Sequence, residues 1–216
     1  MNDLVVTVDG PSGTGKSTVS RAVAARVGLP HLDTGAFYRA ASLAVIRKAV
    51  DPDDDAAVAA IVETAGLDQE DGEMLLDGNN VSREIRGREV TAIVSRVAAN
   101  PAVRRALVAL QRQWVARHGG RAVVEGRDIG SVVFPNAALK IFLDARPEVR
   151  AARRAMETGD DHATVLDDLG RRDRFDSTRT ASPLTVPEGA VIIDTSDLGF
   201  GEVVARVVAL LGDRSV

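Results

Sequence analysis

Gly10-Pro11-Ser12-Gly13-Thr14-Gly15-Lys16-Ser17 is the stretch that decides how this chain folds. It fits the pattern G-x-x-x-x-G-K-[ST], and its setting matters as much as the match. A short apolar, β-branched run (4–8) precedes it, and residues 16–27, with apolar positions at helical spacing, follow it. A strand that turns through glycines into a helix leaves several backbone N–H groups at the positive end of the helix dipole, where a phosphate can sit. The Lys16 side chain can reach the β- and γ-phosphates of a nucleotide, and the Ser17 hydroxyl is a ligand for Mg²⁺. Gly10, Pro11, Ser12, Gly13, Thr14, Gly15, Lys16, Ser17 and the adjoining Thr18 are therefore the expected ATP-binding loop.

Outward from the loop, Gly28 and Pro30 stop the first helix, and a short strand over 31–33 leads into a second helix over about 36–50. Thr34 is the candidate N-cap of that helix and Arg39 falls one turn into it. Asp51-Pro52 and the aspartates after it break the pattern. A helical patch over 56–64 precedes a β-hairpin within 74–81, and helices over 88–99 and 102–117 flank Asn100-Pro101. Apolar strands return at 122–124, 139–143 and 190–193, each followed or closed by an acid: Glu125, Asp144 and Asp194. A final helix covers about 200–211. Continuous β-branched runs suit strands buried on both faces, so the expected fold is α/β, a parallel central sheet flanked by helices with an inserted subdomain.

Composition narrows the function classes. The 216 residues are 45% hydrophobic and 27% charged, ordinary for a globular chain, with a net charge of −4 that is no nucleic-acid footprint. Without cysteine there is neither a thiolate nucleophile nor a cysteine zinc site, and the three histidines lack metal-ligand spacing. No basic leader precedes an apolar stretch and no run approaches the length of a membrane span, so a cytoplasmic protein with neither membrane nor nucleic-acid partner is expected. Of the 27 basic residues only Lys16, Lys48 and Lys140 are lysines. The arginine fork pairs with phosphate bidentately, so arginine clusters deserve a phosphate reading beside the plainer one of a solvated surface.

Three clusters stand out. Asp33-Thr34-Gly35-Ala36-Phe37-Tyr38-Arg39 lies at the end of the second strand, where an α/β sheet presents ligand groups. Glu125-Gly126-Arg127-Asp128 closes the next apolar strand, and Glu125 is placed to hold Mg²⁺ waters in the manner of a Walker-B acid. The run from Arg171 to Arg179 has the arginines a closing lid would set against several phosphates.

Together, GPSGTGKST, LDTGAFYR, VSREIR, EGRDIGSVVFP and RRDRFDSTRTASPL, in this order and spacing, closely resemble the bacterial cytidylate kinase family, a branch of the nucleoside monophosphate kinases. The resemblance runs from about residue 5 to 194. It implies a P-loop kinase fold with a core (1–50, 101–150 and 188–216), an acceptor-binding insertion (about 51–100) and an arginine-rich lid (about 151–187). It implies transfer of the ATP γ-phosphate to CMP or dCMP, with Mg²⁺ as cofactor and the protein as a monomer. By the same resemblance Thr34, Tyr38, Arg39, Ser95, Arg104, Arg127, Asp128, Arg172 and Asp176 bind CMP. Arg39 and Arg127 hold its phosphate; Ser95, Arg104 and Asp128 read cytosine; Asp176 and Arg172 meet the ribose; Arg179 meets the transferring phosphate. Lys16, Arg39, Arg127, Arg172 and Arg179 form the catalytic set, and Ser17 with Glu125, the latter through water, the metal set. Glu125 stands where many members have Asp, Ser131 where Thr is common, and Phe175 at a position often polar, which leaves Arg174 without an assigned role.

Two other readings fit the loop alone. One is a small kinase acting on UMP, AMP or shikimate, which would differ in its acceptor pocket. The other is a nucleotide-binding switch, which the missing Asn-Lys-x-Asp and the lid arginines disfavour.

Overall fold

The computed structural model describes residues 4–178 and 182–212, the side chains at 158 and 176 excepted. They divide into two compact units, one formed by the described residues within 1–31 and 120–216, the other by 32–119. No helix among the described residues is long and apolar enough to cross a membrane.

The first unit is built on β1 (Leu4–Asp9), α1 (Lys16–Val27), β6 (Arg121–Glu125), β7 (Leu139–Asp144), α6 (Pro147–Thr158), α7 (His162–Thr178), β8 (Val191–Asp194) and α8 (Phe200–Gly212). With β2 (His31–Asp33) its strands form a five-stranded sheet in the order β2-β6-β1-β7-β8. The first strand in sequence thus lies at the centre, paired in parallel with β6 (Val6 opposite Val123) and with β7 (Val6 opposite Leu139). Val6, Val8, Val123, Leu139, Ile141 and Leu143 pack with Val19 and Val23 of α1 and Val203 and Val207 of α8. Burying each such side chain contributes about 1.5–3 kcal/mol, which is why these strands carry unbroken aliphatic runs. Because β1 has parallel neighbours on both sides, its C-terminal end opens at the point of an α/β sheet where ligands bind. Asp9 and Glu125 end adjacent strands there.

The second unit contains α2 (Thr34–Arg47), α3 (Asp55–Thr64), β3 (Leu67–Glu70), β4 (Glu73–Leu76), β5 (Asn79–Asn80), α4 (Arg88–Ala99) and α5 (Pro101–Arg117). The parallel α/β core is as the sequence predicts; details differ. The N-cap of α2 is Asp33, whose Oδ1 accepts the Ala36 N–H at 3.0 Å, and Thr34 is the first residue inside the helix. A carboxylate one residue earlier suits the positive helix end better than a hydroxyl, so α2 starts before 36. It ends at Arg47, and Ala49 turns the chain with φ 53°. The expected hairpin is a three-stranded antiparallel sheet, β3-β4-β5. Its two turns are Asp71-Gly72 and Asp77-Gly78, all four residues at positive φ, the geometry that matches the twist of a tight hairpin. Asp71-Gly72 was the available sign of β3, whose LDQE carries too few apolar residues to announce a strand. Between β7 and β8 the chain forms two helices, α6 and α7.

Candidate active site

In the first unit, the turn from β1 into α1 requires glycine at its first position. Gly10 has φ 145°, and a Cβ there would lie 2.1 Å from the Leu143 carbonyl oxygen. Gly15 takes a left-handed conformation at the start of α1, and no side chain caps that helix. Its terminal N–H groups are therefore not engaged by a side-chain cap, as an anion site requires. Lys16 is buried, and its Nζ donates to the Pro11 carbonyl at 2.6 Å, an oxygen that also receives Thr14 Oγ1 at 3.1 Å. Burial, and then the neighbouring Arg127 guanidinium, lower its pKa from 10.5 to about 8. Ser17 and Thr18 are exposed on the first turn of α1. The loop's outer carbonyls are held from behind: Arg150 Nη1 donates to Ser12 O at 3.0 Å and Thr195 Oγ1 to Thr14 O at 3.3 Å.

The end of β6 brings the second cluster to this loop. Gly126 N–H donates to Val8 O at 3.1 Å, and Arg127 Nη2 donates to Ser12 Oγ at 2.5 Å. Asp128 is buried and precedes a π-helical turn, Ile129–Val133. Glu125 is buried as well, with Oε1 at 3.3 Å from His31 Nε2. The same nitrogen lies 3.0 Å from Ser20 Oγ, whose hydroxyl donates to Lys16 O at 2.7 Å. With the serine hydrogen so used, the Nε2 hydrogen is donated to Ser20 Oγ. Asp9 accepts the N–H groups of Ile129 (2.7 Å) and Gly130 (2.8 Å). Its pKa is raised from 3.8 to about 6 by burial, against the lowering effect of those two N–H bonds, and the Asp128 charge adds to the rise.

On α6, Arg150 is a buried hub. Besides Ser12 O it reaches Ala145 O through Nε (3.0 Å) and Asp173 Oδ2 on α7 through Nη1 (2.6 Å). Arg172, partly buried, is the residue before Asp173. Arg179 and the Asp176 side chain lie outside the described residues.

In the second unit, Arg39 on α2 donates through Nη1 to Ile85 O (3.3 Å) and to Thr91 Oγ1 on α4 (3.0 Å). The Arg104 guanidinium lies 5.4 Å from the centre of the Tyr38 ring and donates to Ala98 O at 3.2 Å. Arg104 and Thr34 are buried, and Ser95 is half-buried on α4. Asn100 makes the corner between α4 and α5, its Oδ1 accepting from Ala102 (2.9 Å) and Val103 (3.3 Å) and its Nδ2 donating to Asp55 O (2.8 Å).

The first unit thus collects the phosphate loop, Glu125, Arg127 and Asp128, and the second joins Tyr38 to Arg104. Sequence reasoning missed Asp9, His31, Thr91 and Arg150. Only Asp9 left a trace, since it ends an apolar strand as Glu125 and Asp144 do.

A family model for cytidylate kinase matches residues 6–212. The chain belongs to the cytidylate kinase family. It is 50% identical to the cytidylate kinase of Rhodococcus opacus (strain B4) over 99% of this chain and 97% of that protein. It is equally identical to the cytidylate kinase of Mycobacterium leprae (strain Br4923), over 100% and 98%. Among solved structures it is similar in fold to TT1252 from Thermus thermophilus (TM-score 0.57, 17% identity, 100% of both chains). It is also similar to a gluconokinase from Sinorhizobium meliloti 1021 (TM-score 0.50, 17% identity, 99% of this chain and 98% of that one). The cytidylate kinase relatives therefore align with this chain nearly end to end at half identity, while the solved structures share its fold.

Proposed function

We propose that this protein transfers the γ-phosphate of ATP to CMP or dCMP, giving CDP or dCDP and ADP, as a cytoplasmic monomer of pyrimidine nucleotide metabolism. The observation that carries the reading is the joining of the phosphate loop to the Glu125–Asp128 segment through Arg127 and Ser12, in a chain of this family. Half identity to cytidylate kinases over almost the whole chain favours this acceptor over uridylate, adenylate or shikimate.

The nucleophile is an oxygen of the CMP phosphate, whose second ionisation lies near pH 6, so it is already anionic and needs no general base. What the residues must do is align two anions and offset their repulsion. Loop N–H groups and Lys16 take the donor phosphates. Arg39 and Arg127 bind the acceptor phosphate, and Arg172 and Arg179 from the 151–187 lid join them over the transferring group. Tyr38 and Thr34 line the acceptor subsite with the 51–100 insertion, and Asp176 takes the ribose. Ser95, Arg104 and Asp128 read the base: a carboxylate accepts from the exocyclic N4 amino group of cytosine, whereas uracil turns a carbonyl to it.

The oxygen donors fit Mg²⁺. Ser17 offers an exposed hydroxyl, and Glu125 a buried carboxylate at a strand end. A kinase magnesium needs only one or two such protein groups beside phosphates and water. When bound, the ion would draw charge from the phosphate oxygens.

Coupled assay of ADP release with CMP, dCMP, UMP and AMP tests the proposal. CMP and dCMP are expected to be far better acceptors than the other two, and equal rates with UMP would remove the base-reading assignment.

A further inference from the structure

Asp9 has no role in the chemistry above, yet it is fully buried beside the phosphate loop and both of its oxygens are used. It receives two consecutive amides, Ile129 and Gly130, from a segment 120 residues away. Its neighbour Val8 receives the amide of Gly126. Consecutive residues of β1 therefore hold both ends of a short span, and what lies between the anchors is Arg127 and Asp128. One carboxylate accepting two adjacent N–H groups sets the orientation of the backbone as well as its distance. The far anchor also has no slack. A Cβ on Gly130 would lie 2.8 Å from Thr7 Oγ1, 3.0 Å from Pro187 Cγ and 3.2 Å from Asp9 Oδ2. Burial works against the ionised carboxylate, and Asp128 beside it adds repulsion. A buried acid held at that disadvantage is expected where geometry, rather than stability, is the gain.

We propose that Asp9 is a positioning residue for base selectivity: by clamping the Ile129 and Gly130 amides it holds Asp128 where that carboxylate distinguishes cytosine from uracil. This rests on the assignment of Asp128 to the base.

The test is steady-state phosphorylation of CMP and UMP by the wild-type protein, Asp9→Asn and Asp128→Asn, read as the ratio of the two kcat/KM values. Asn has the shape of Asp but keeps one acceptor oxygen for two amides and turns an NH₂ group toward the other. Asp9→Asn is expected to lower the CMP-to-UMP ratio by about tenfold, the scale of one misplaced base contact, and Asp128→Asn by at least as much. Combining the two should cost no more selectivity than Asp128→Asn alone. A role in folding only would scale both acceptors alike and leave the ratio unmoved. An unchanged ratio in folded Asp9→Asn, beside a lowered one in Asp128→Asn, overturns the positioning role and leaves the Asp128 assignment standing. An unchanged ratio in both removes Asp128 from base recognition, and the proposal with it. Should Asp9→Asn not fold, Gly130→Ala, which forces the segment away from the Asp9 carboxylate, is read in the same way.

Discussion

At the C-terminal edge of the five-stranded sheet and on the helix beside it, Asp9, Lys16, Glu125, Asp128 and Arg150 are each at most 9% exposed. In the 32–119 unit the ion pairs Arg47–Glu84, Arg96–Asp53 and Arg117–Asp68 lie at the surface. The exception there is Arg104, buried against Tyr38 and itself a candidate for reading the base. Exposed pairs contribute little, because water screens them and two long side chains must be ordered. Buried charges lose solvation that their partners restore only in part. In this chain, then, buried charge gathers around the proposed nucleotide site, and exposed pairing marks ordinary surface.

The largest effect should come from Lys16→Met. Phosphoryl transfer is expected to fall by about a hundred- to a thousandfold. The nucleotide-free protein should nevertheless melt at a higher temperature, because a desolvated cation has been replaced by an apolar chain of similar length. Steady-state kinetics and calorimetry on the same preparation check both halves; a lowered Tm would break the contrast between the two regions.

A second effect is a pH dependence. Asp9 has a folded-state pKa of about 6 against 3.8 for the free side chain, so its contribution to stability is full below about pH 4 and is lost as pH rises through 6. For Lys16, lowered from 10.5 to about 8, the contribution is full above pH 10.5 and lost as pH falls through 8. At neutral pH both charges therefore oppose folding. The Tm of the wild-type protein minus that of Asp9→Asn should decline between pH 4 and 7, and a flat or rising difference would contradict the burial of that charge. The smallest effect is expected of Arg47→Ala in the second unit. Denaturant unfolding should register less than about 1 kcal/mol, with kcat/KM for CMP unchanged. A loss several times larger would mean that the surface pairs carry more than the comparison allows.

The parts of this protein legible from its sequence are those encoded locally. Strand-loop-helix at the start, the apolar strands and the Asn100-Pro101 corner each rest on spacing or on one residue's backbone preference. The start of α2 moved by two residues because Asp33 and Thr34 can each cap, and the Asp33 carboxylate is the one that accepts the Ala36 N–H. β3 escaped because half of its four residues are charged and its stability comes from pairing with β4. Arg127 was legible as a candidate site residue from its place after an apolar strand; its bond to Ser12, across 115 residues, was not.

The sequence by itself determined the phosphate loop, the alternation of strands and helices around it, and the residue types available for binding two phosphates, since each depends on neighbours a few positions apart. Tertiary structure alone decided that β1 is central and that Asp9 meets Ile129 and Gly130. It likewise decided that Arg150, 138 residues from Ser12, supports the loop from behind while gripping Asp173. Those contacts follow from strand order and from the closing of helices onto the sheet. Hydrophobic periodicity says which face of an element is buried and is silent about what that face will meet.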